Sequence, residues 1–521
     1  DFCLSRGLGD VYKRQILICL AIAGVGLLSS GCNDWLDVLP KNEQVSPDYW
    51  KTKEQVEEVL AQGYSYMRTT VPYLIYWGEL RGGSVYAYSG SEQQKLQNFQ
   101  LTASSKMCNW SAFYQLLNIA NSIIKYAPEV HGHDATYTEA AMNSHMAEAY
   151  FMRAWVNFTL VRNYKEAPLI LEPYVTDSYP FNMSKSSEET FIVQIKEDIK
   201  TALDSGAAKE FYDDDTWAGA TKGRITKWAL YALMADVCLW SEDYEGCIEY
   251  TDLLINANSS HRPAFMADPE QWFTIFNPGN SNESVFEINF DVLTYNQPVD
   301  NSPSAYFTHS SSAPFQYSVA MYGRLWNETR TSNESSVRAS GGAYNDLGVG
   351  AASCVWKYQG YGYMSTGYRD QQDANWILYR MADVLLMKAE ALAWKGGTAN
   401  FQAAIDLINR VRTRANVAEL DVNINDVTEE SMLRYVLEER DIELAAEGKR
   451  WYDLVRFGKS KGYKYQTAFI DLIVANNASA SSQWLRSVLK NTYAWYLPIP
   501  QSDIERNSLL TQNPYYDITS N

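Results

Sequence analysis

Apolar residues recur three and four positions apart in several stretches of this 521-residue chain, a spacing that gathers them on one face of a helix. Ala147, Tyr150, Phe151, Ala154, Trp155 and Phe158 form one such stripe, and Pro168 lies beyond its expected end. A second runs from about Thr226 through Trp228, Tyr231, Ala235, Cys238 and Leu239, breaks at Ser241-Glu242-Asp243, and resumes with Tyr244, Ile248, Thr251 and Ile255. A third begins near Arg380, stops at Gly396-Gly397 and restarts with Phe401, Ala404, Ile405 and Ile408. A fourth covers about Ser431 to Phe457, and Ser46-Pro47 opens an earlier one with proline in its first turn. Helix, short turn and helix, repeated, is how helical-hairpin arrays are built. The expected fold is therefore mostly α, a helix-pair scaffold with long irregular loop insertions and minor β. The main insertion is about 258–379, with a strand-like stretch at Ser284–Phe290. Loops on a rigid scaffold are where binding surfaces usually sit.

Composition narrows the function. Hydrophobic residues at 46% and charged residues at 20% support a large core and exclude global disorder. The 62 acidic against 44 basic residues give −18, which argues against nucleic acid and disfavours polyanionic ligands unless a local basic pocket exists. Tyrosine (37) outnumbers phenylalanine (18), and there are 16 tryptophans. These rings combine an apolar face with a polar handle and suit wet binding surfaces as well as cores.

The N-terminal stretch points to a compartment. Residues 1–15 begin without Met and read as a non-native leader. Ile16 to Leu28 is an apolar run of thirteen residues, followed by Ser29-Ser30-Gly31 and Cys32. That pattern resembles a bacterial lipoprotein signal over 16–31, with Cys32 the acylated N-terminus and the membrane reached through its lipid. Ser29 stands where such signals usually carry Leu, and a plain signal peptide or a buried helix with an incidental Cys is the alternative. Processing would leave 41 basic and 60 acidic residues, a net charge of −19. Cys108, Cys238, Cys247 and Cys354 are too scattered for a disulfide framework and form no CxxC metal pattern. Cys238 and Cys247 read as small buried hydrophobes.

Catalytic patterns are sparse. Glu439, Glu443 and Glu447 line one helical face and, as a pair, could serve a glycosidase. Each has an arginine nearby, with Arg440–Glu443, Glu447–Arg450 and Asp453–Arg456 at i+3. The preferred reading is an ion-pair network bracing a helix–turn–helix corner at Gly448. No HExxH, GxSxG, Walker loop or GxGxxG is present, so no cofactor, metal or catalytic residue is nominated. Asp213-Asp214-Asp215 lacks the alternation of a calcium loop. Two aromatic-rich loops remain: Tyr73 to Trp77 with Arg81, Tyr86 and Tyr88, and Tyr306 to Trp326 in the insertion. Flat rings beside polar side chains suit sugars, in a groove that can be open and wet.

These residues also carry a resemblance. CNDWLD at Cys32, SPDYWKTKEQVEEVLAQGY, EAYFMRA with Tyr164 and Pro168, GRIT at Gly223, RMADVLLMKAEAL with INRVRTRA, EERDIELAAEGKRWYDLVRFG, and YLPIP with QNP occur in this order. They resemble the SusD/RagB family of Bacteroidetes nutrient-binding lipoproteins, from residue 32 to the end. The resemblance implies a tetratricopeptide-like scaffold, a SusD-like N-terminal region over 32–215 and a C-terminal region over 216–521. It implies a non-catalytic lipoprotein at the cell surface, anchored in the outer membrane. There it would capture oligosaccharides for a SusC-like TonB-dependent transporter. Family ligand residues lie in variable loops, so candidates come from chemistry and location: Trp77, Arg81, Tyr86, Tyr88, Tyr306, Tyr322 and Trp326. A peptide-binding lid, a surface glycosidase and a ligand-free scaffold are the competing readings.

Overall fold

In a computed structural model the described residues are 49–174, 182–212, 220–293, 297–308, 313–331, 336–346 and 354–517. The leader, the signal segment, Cys32, the acidic run 213–215 and the 215/216 junction lie outside them.

Hairpins dominate the described residues. Helix α1 (Lys53–Glu79) packs on α2 (Ser111–His133), α2 on α3 (Glu139–Tyr164) and α3 on α4 (Glu188–Asp204). The array continues through α5 (Lys227–Trp240) and α6 (Tyr244–Ile255). An insertion carries α7 (Val319–Thr331) before α8 (Met381–Lys395) packs on α6 and α9 (Thr398–Arg414) on α8. Helices α10 (Glu429–Glu443), α11 (Arg450–Tyr463), α12 (Gln466–Asn476) and α13 (Ser482–Leu489) follow, with α10 against α8 and α11 against α1. No described helix is long and apolar enough to cross a membrane.

Local chemistry sets the boundaries. Thr52 and Gln55 form a capping box at α1, while Thr138, Ser187 and Asp243 accept backbone N–H bonds at the starts of α3, α4 and α6. Helix α8 stops at Gly396, where φ is +73°. Helix α3 ends at Tyr164, short of Pro168, and buries nearly its whole surface between neighbours. These bounds agree with the periodicity.

One boundary does not. Helix α1 runs through Pro72 and takes in Tyr73–Trp77, the stretch expected to be an aromatic loop. Contacts with α2 and α11 bury this last part of α1 and hold the turn that proline weakens.

Strands are few. β1 (Val85–Ala87) pairs antiparallel with β3 (Phe315–Tyr317), Tyr86 opposite Gln316. β2 (Ser284–Ile288) pairs antiparallel with β4 (Trp376–Arg380), which leads directly into α8. The strand-like reading of Ser284–Phe290 thus becomes β2.

Buried charge ties the insertion to the scaffold. Arg380 reaches Glu447 (2.8 Å), Glu443 (2.7 Å) and Glu283 (3.0 Å). Arg414 reaches Glu443 (2.5 Å) and Glu283 (2.8 Å), and Arg338 reaches Glu439 (2.5 Å), Glu443 (3.1 Å) and Glu328 (2.8 Å). Nearby arginines outweigh burial and hold the Glu443 carboxyl well below its usual range. The network exists, but two of the expected i+3 pairs do not form. Arg440 instead pairs with Asp383 and Asp453 (both 2.9 Å), and Arg450 with Asp441 (3.4 Å). Asp453–Arg456 forms at 2.6 Å.

The corner between α10 and α11 is built by close backbone approach. Gly448 has φ +74°, and a Cβ there would stand 2.6 Å from Trp376 Cζ2. Its N–H and that of Lys449 donate to Glu79 Oε1 at 2.6 and 3.2 Å. No cation is bonded to this carboxylate among the described residues, and burial raises its pKa to about 8.

Candidate functional site

Alternation along a two-stranded ribbon decides what faces outward. Val85, Ala87, Phe315 and Tyr317 are buried, so Tyr86 and Gln316, directly opposite each other, take the outer face. Beyond the strand Tyr88 is 57% exposed, its N–H bonded to the Pro314 carbonyl (3.1 Å). On the other side β3 runs into α7, where Tyr322 is half-buried and Trp326, one turn later, is 39% exposed. Their ring centroids lie 6.3 Å apart, tilted by 30°. Tyr322 also meets the buried Tyr344 edge-on at 5.0 Å. Half-buried Tyr306 stacks on Phe315 (5.9 Å, 14°) and meets Tyr76 edge-on, which places it at the base of the ribbon.

This surface rests on fixed contacts. Ser84 Oγ donates to Asp441 (2.6 Å), and Arg324, between Tyr322 and Trp326 on α7, contacts the same carboxylate at 2.7 Å. The ribbon and α7 are thereby pinned to α10 by a buried acid. Such preorganisation lowers the ordering cost of binding.

Two candidates belong to the core instead. Trp77 has 0% exposure, donates its Nε1–H to the Met107 carbonyl (2.8 Å) and stacks on Phe113 (5.0 Å). Arg81, 2% exposed, donates to the Trp495 carbonyl (2.7 Å) and Asn163 (3.1 Å) and covers the Trp451 ring at 4.3 Å. Burial lowers its pKa to about 10. Both are corrected from ligand candidates to structural residues, because α1 runs through Trp77 and a buried 3-10 turn, Leu80–Gly82, carries the chain on through Arg81. Tyr86, Tyr88, Tyr322 and Trp326 border accessible surface, and Tyr306 supports them.

Sequence reasoning missed three residues on this side. Tyr361 (63% exposed) and Met364 sit on the turn 360–368, tied to the Tyr344 region by Met364 N–H to Gly341 O and Asn345 Nδ2–H to Ser365 O, both 2.9 Å. The glycine-spaced run GYGYMSTGY was the available signal. Trp484, 39% exposed, donates to Asn98 O (2.9 Å), one residue from Gln97, which accepts the Ala87 N–H. It lies on α13 off the buried stripe of Leu485, Val488 and Leu489, and a tryptophan outside the apolar face was the sign.

Glu439, Glu443 and Glu447 are buried and ion-paired. His145 is buried against Tyr137, and burial lowers its pKa. No metal-type cluster occurs among the described residues. Cys108, Cys238, Cys247 and Cys354 are free, buried thiols.

A helix-pair scaffold bearing an aromatic surface on a pinned loop insertion defines a class of binding protein, and comparison with known proteins supplies the family. Residues 267–516 match the model of the SusD family, and 34–239 match one described as starch-binding and associating with the outer membrane. A SusD-like protein of Formosa agariphila is 26% identical over 498 residues, covering 86% of this chain and 92% of its own. The starch-binding protein SusD of Bacteroides thetaiotaomicron is 33% identical over 144 residues, 28% of this chain and 22% of its own. Among solved structures, a SusD superfamily protein from Bacteroides vulgatus superposes with TM-score 0.70 at 21% identity, covering 90% of this chain and 100% of that one. A laminarin-binding SusD-like protein gives 0.65 at 21%, covering 89% and 100%. The chain belongs to the SusD family.

Proposed function

We propose that this protein is a non-catalytic, surface-exposed glycan-binding lipoprotein, anchored through Cys32 in the outer membrane. It captures oligosaccharides and delivers them to a SusC-like TonB-dependent transporter. The observation that carries this reading is the divided fate of its aromatic side chains. Trp77 is sealed in the core with its donor satisfied, whereas Trp326 and Tyr88 stay 39% and 57% exposed on a rigid base. A large exposed ring has a cost in water that a bound apolar face removes. Sugar rings offer that face, and the Gln316 amide and tyrosine hydroxyls can meet the hydroxyls at their rims. Several such contacts along a chain add up to useful affinity while each stays weak enough for release. The names of relatives that bind starch and laminarin support the ligand class.

The test is affinity electrophoresis of the chain from Asn33 across a polysaccharide panel, beside Trp326→Ala and Tyr88→Ala. Retardation by one glycan is expected. Losing a central aromatic anchor is expected to weaken binding by about 2 kcal/mol, roughly thirtyfold in Kd. Unchanged retardation in both variants, or hydrolysis of any glycan, refutes the reading.

A further inference from the structure

Between residues 256 and 375 the chain carries eleven acidic and six basic residues. Where each cation points determines which glycans the aromatic surface accepts. Arg338 is fully buried among Glu328, Glu439 and Glu443, and Lys357 lies 2.7 Å from buried Glu447. Arg369 pairs with Asp373 at 3.3 Å and donates to the Phe276 carbonyl. Arg262 donates to the carbonyl of Ile255 (3.2 Å), at the end of α6. Arg324 is the described cation nearest the rings in sequence. It contacts buried Asp441 at 2.7 Å and donates to Asn476 at 2.9 Å. Turning it toward a ligand would take the closest cation from that buried carboxylate and leave it Ser84 and the more distant Arg450, at 3.4 Å. The sixth is Arg330, whose side chain lies outside the described residues. The segments 294–296, 309–312, 332–335 and 347–353, also outside them, contain neither Lys nor Arg. Across the ribbon, Lys95 is paired with Glu92.

Negative charge, by contrast, is exposed near the rings. Asp346 follows Tyr344 and Asn345 and is exposed; burial, with Asp346 adding to it, raises the Tyr322 phenol. Exposed Asp300 likewise adds to the effect of burial on Tyr306. A sulfate or uronate brought to the ribbon and α7 would lose hydration, meet like charge and find no guanidinium free to pair with it among the described side chains of 256–375.

Resting on the glycan reading above, we infer that the surface selects uncharged glycans and excludes sulfated and uronic-acid polysaccharides. Stacking on rings and neutral hydrogen bonds are the interactions it offers, and neither needs ligand charge.

The experiment runs each polysaccharide of the panel beside a charged or neutralised form of the same backbone: a neutral glucan with its sulfated derivative, and a native sulfated galactan with its desulfated form. The neutral member of any retained pair is expected to bind at least about tenfold more tightly, a difference of 1.4 kcal/mol, and with little dependence on salt. Equal or tighter binding of the charged member, weakening as NaCl rises, overturns the inference while leaving glycan binding intact. Retention of neither member of any pair instead overturns the glycan reading on which it rests. Arg330→Gln supplies the second arm, since this residue sits one turn beyond Trp326. Unchanged binding of the neutral glycan supports the inference. Loss of a charged glycan's retention in this variant overturns it by identifying Arg330 as an anion contact.

Discussion

Arg380 is the cation whose removal exposes most about how this fold is held together. Its guanidinium serves three buried carboxylates, Glu283, Glu443 and Glu447, and also donates to the Glu443 carbonyl. Arg380→Met keeps an unbranched apolar stem and deletes the charge. Glu443 retains Arg338 and Arg414, and Glu447 retains Lys357, so the remaining cations share the deficit. Breaking a buried pair by removing one partner costs about 3–5 kcal/mol. For a unit of this length, an unfolding entropy of about 2 cal/mol/K per residue makes that roughly a 3–5 °C fall in Tm. Acid should shrink the difference. In the variant three buried carboxylates share fewer cations, so their pKa values rise relative to the parent, and protonation below those values relieves the penalty. The parent behaves oppositely, because its Glu443 and Glu447 carboxyls are held below the usual range by Arg and Lys. Their contribution is present near neutrality and is lost as pH falls through those depressed values. Calorimetry of both proteins at pH 7.5 and pH 5 measures this, with Arg434→Met as a comparison at an exposed pair expected to cost under about 0.5 kcal/mol. A penalty below about 1 kcal/mol, or one that does not shrink on acidification, refutes the reasoning.

Other consequences follow from single sites. Glu79 has a folded-state pKa raised to about 8 by burial, so its contribution is present at low pH and lost as pH rises through that value. Glu79→Gln should therefore match the parent near pH 5 and exceed it near pH 8.5, the gap growing by at most about 1.4 kcal/mol per pH unit, as read from urea unfolding. Gly448→Ala adds a Cβ 2.6 Å from Trp376 at φ +74° and should lose about 2–4 kcal/mol in the same assay. Burial pushes the Cys108, Cys238 and Cys354 thiols up to about 12, so a disulfide reagent at pH 8 should label none of them until the chain unfolds.

What was legible in the sequence was whatever depends on near neighbours. The stripes through Ala147–Phe158 and Trp228–Leu239 and the break at Gly396 sit within one turn of the residues that enforce them, so α3, α5 and α8 fell where the spacing put them. Trp77 and Arg81 did not. A proline and two glycines flank a tyrosine-rich stretch, which is loop chemistry, yet Trp77 is buried by Phe113 and Tyr164 and Arg81 by Trp451 and Trp495, the last two nearly four hundred residues away or more. No local pattern encodes that. The charged segment illustrates the same limit: a helical net predicts i+3 partners, but Arg338, Arg380 and Arg414 arrive from the insertion, β4 and α9 and take the carboxylates first. Exposure is equally non-local. Tyr88 and Trp326 were nominated on the same grounds as Trp77, and only packing separates them.

The central claim is that glycan meets this chain at the ribbon and α7, and hydrogen–deuterium exchange with and without a retained polysaccharide tests it without any substitution. Added protection is expected in peptides spanning residues 85–88 and 315–326, reaching toward 361–364 and 484, with α3 to α6 unchanged. Protection confined to the helix-pair array, with the ribbon exchanging as in the free protein, would contradict it.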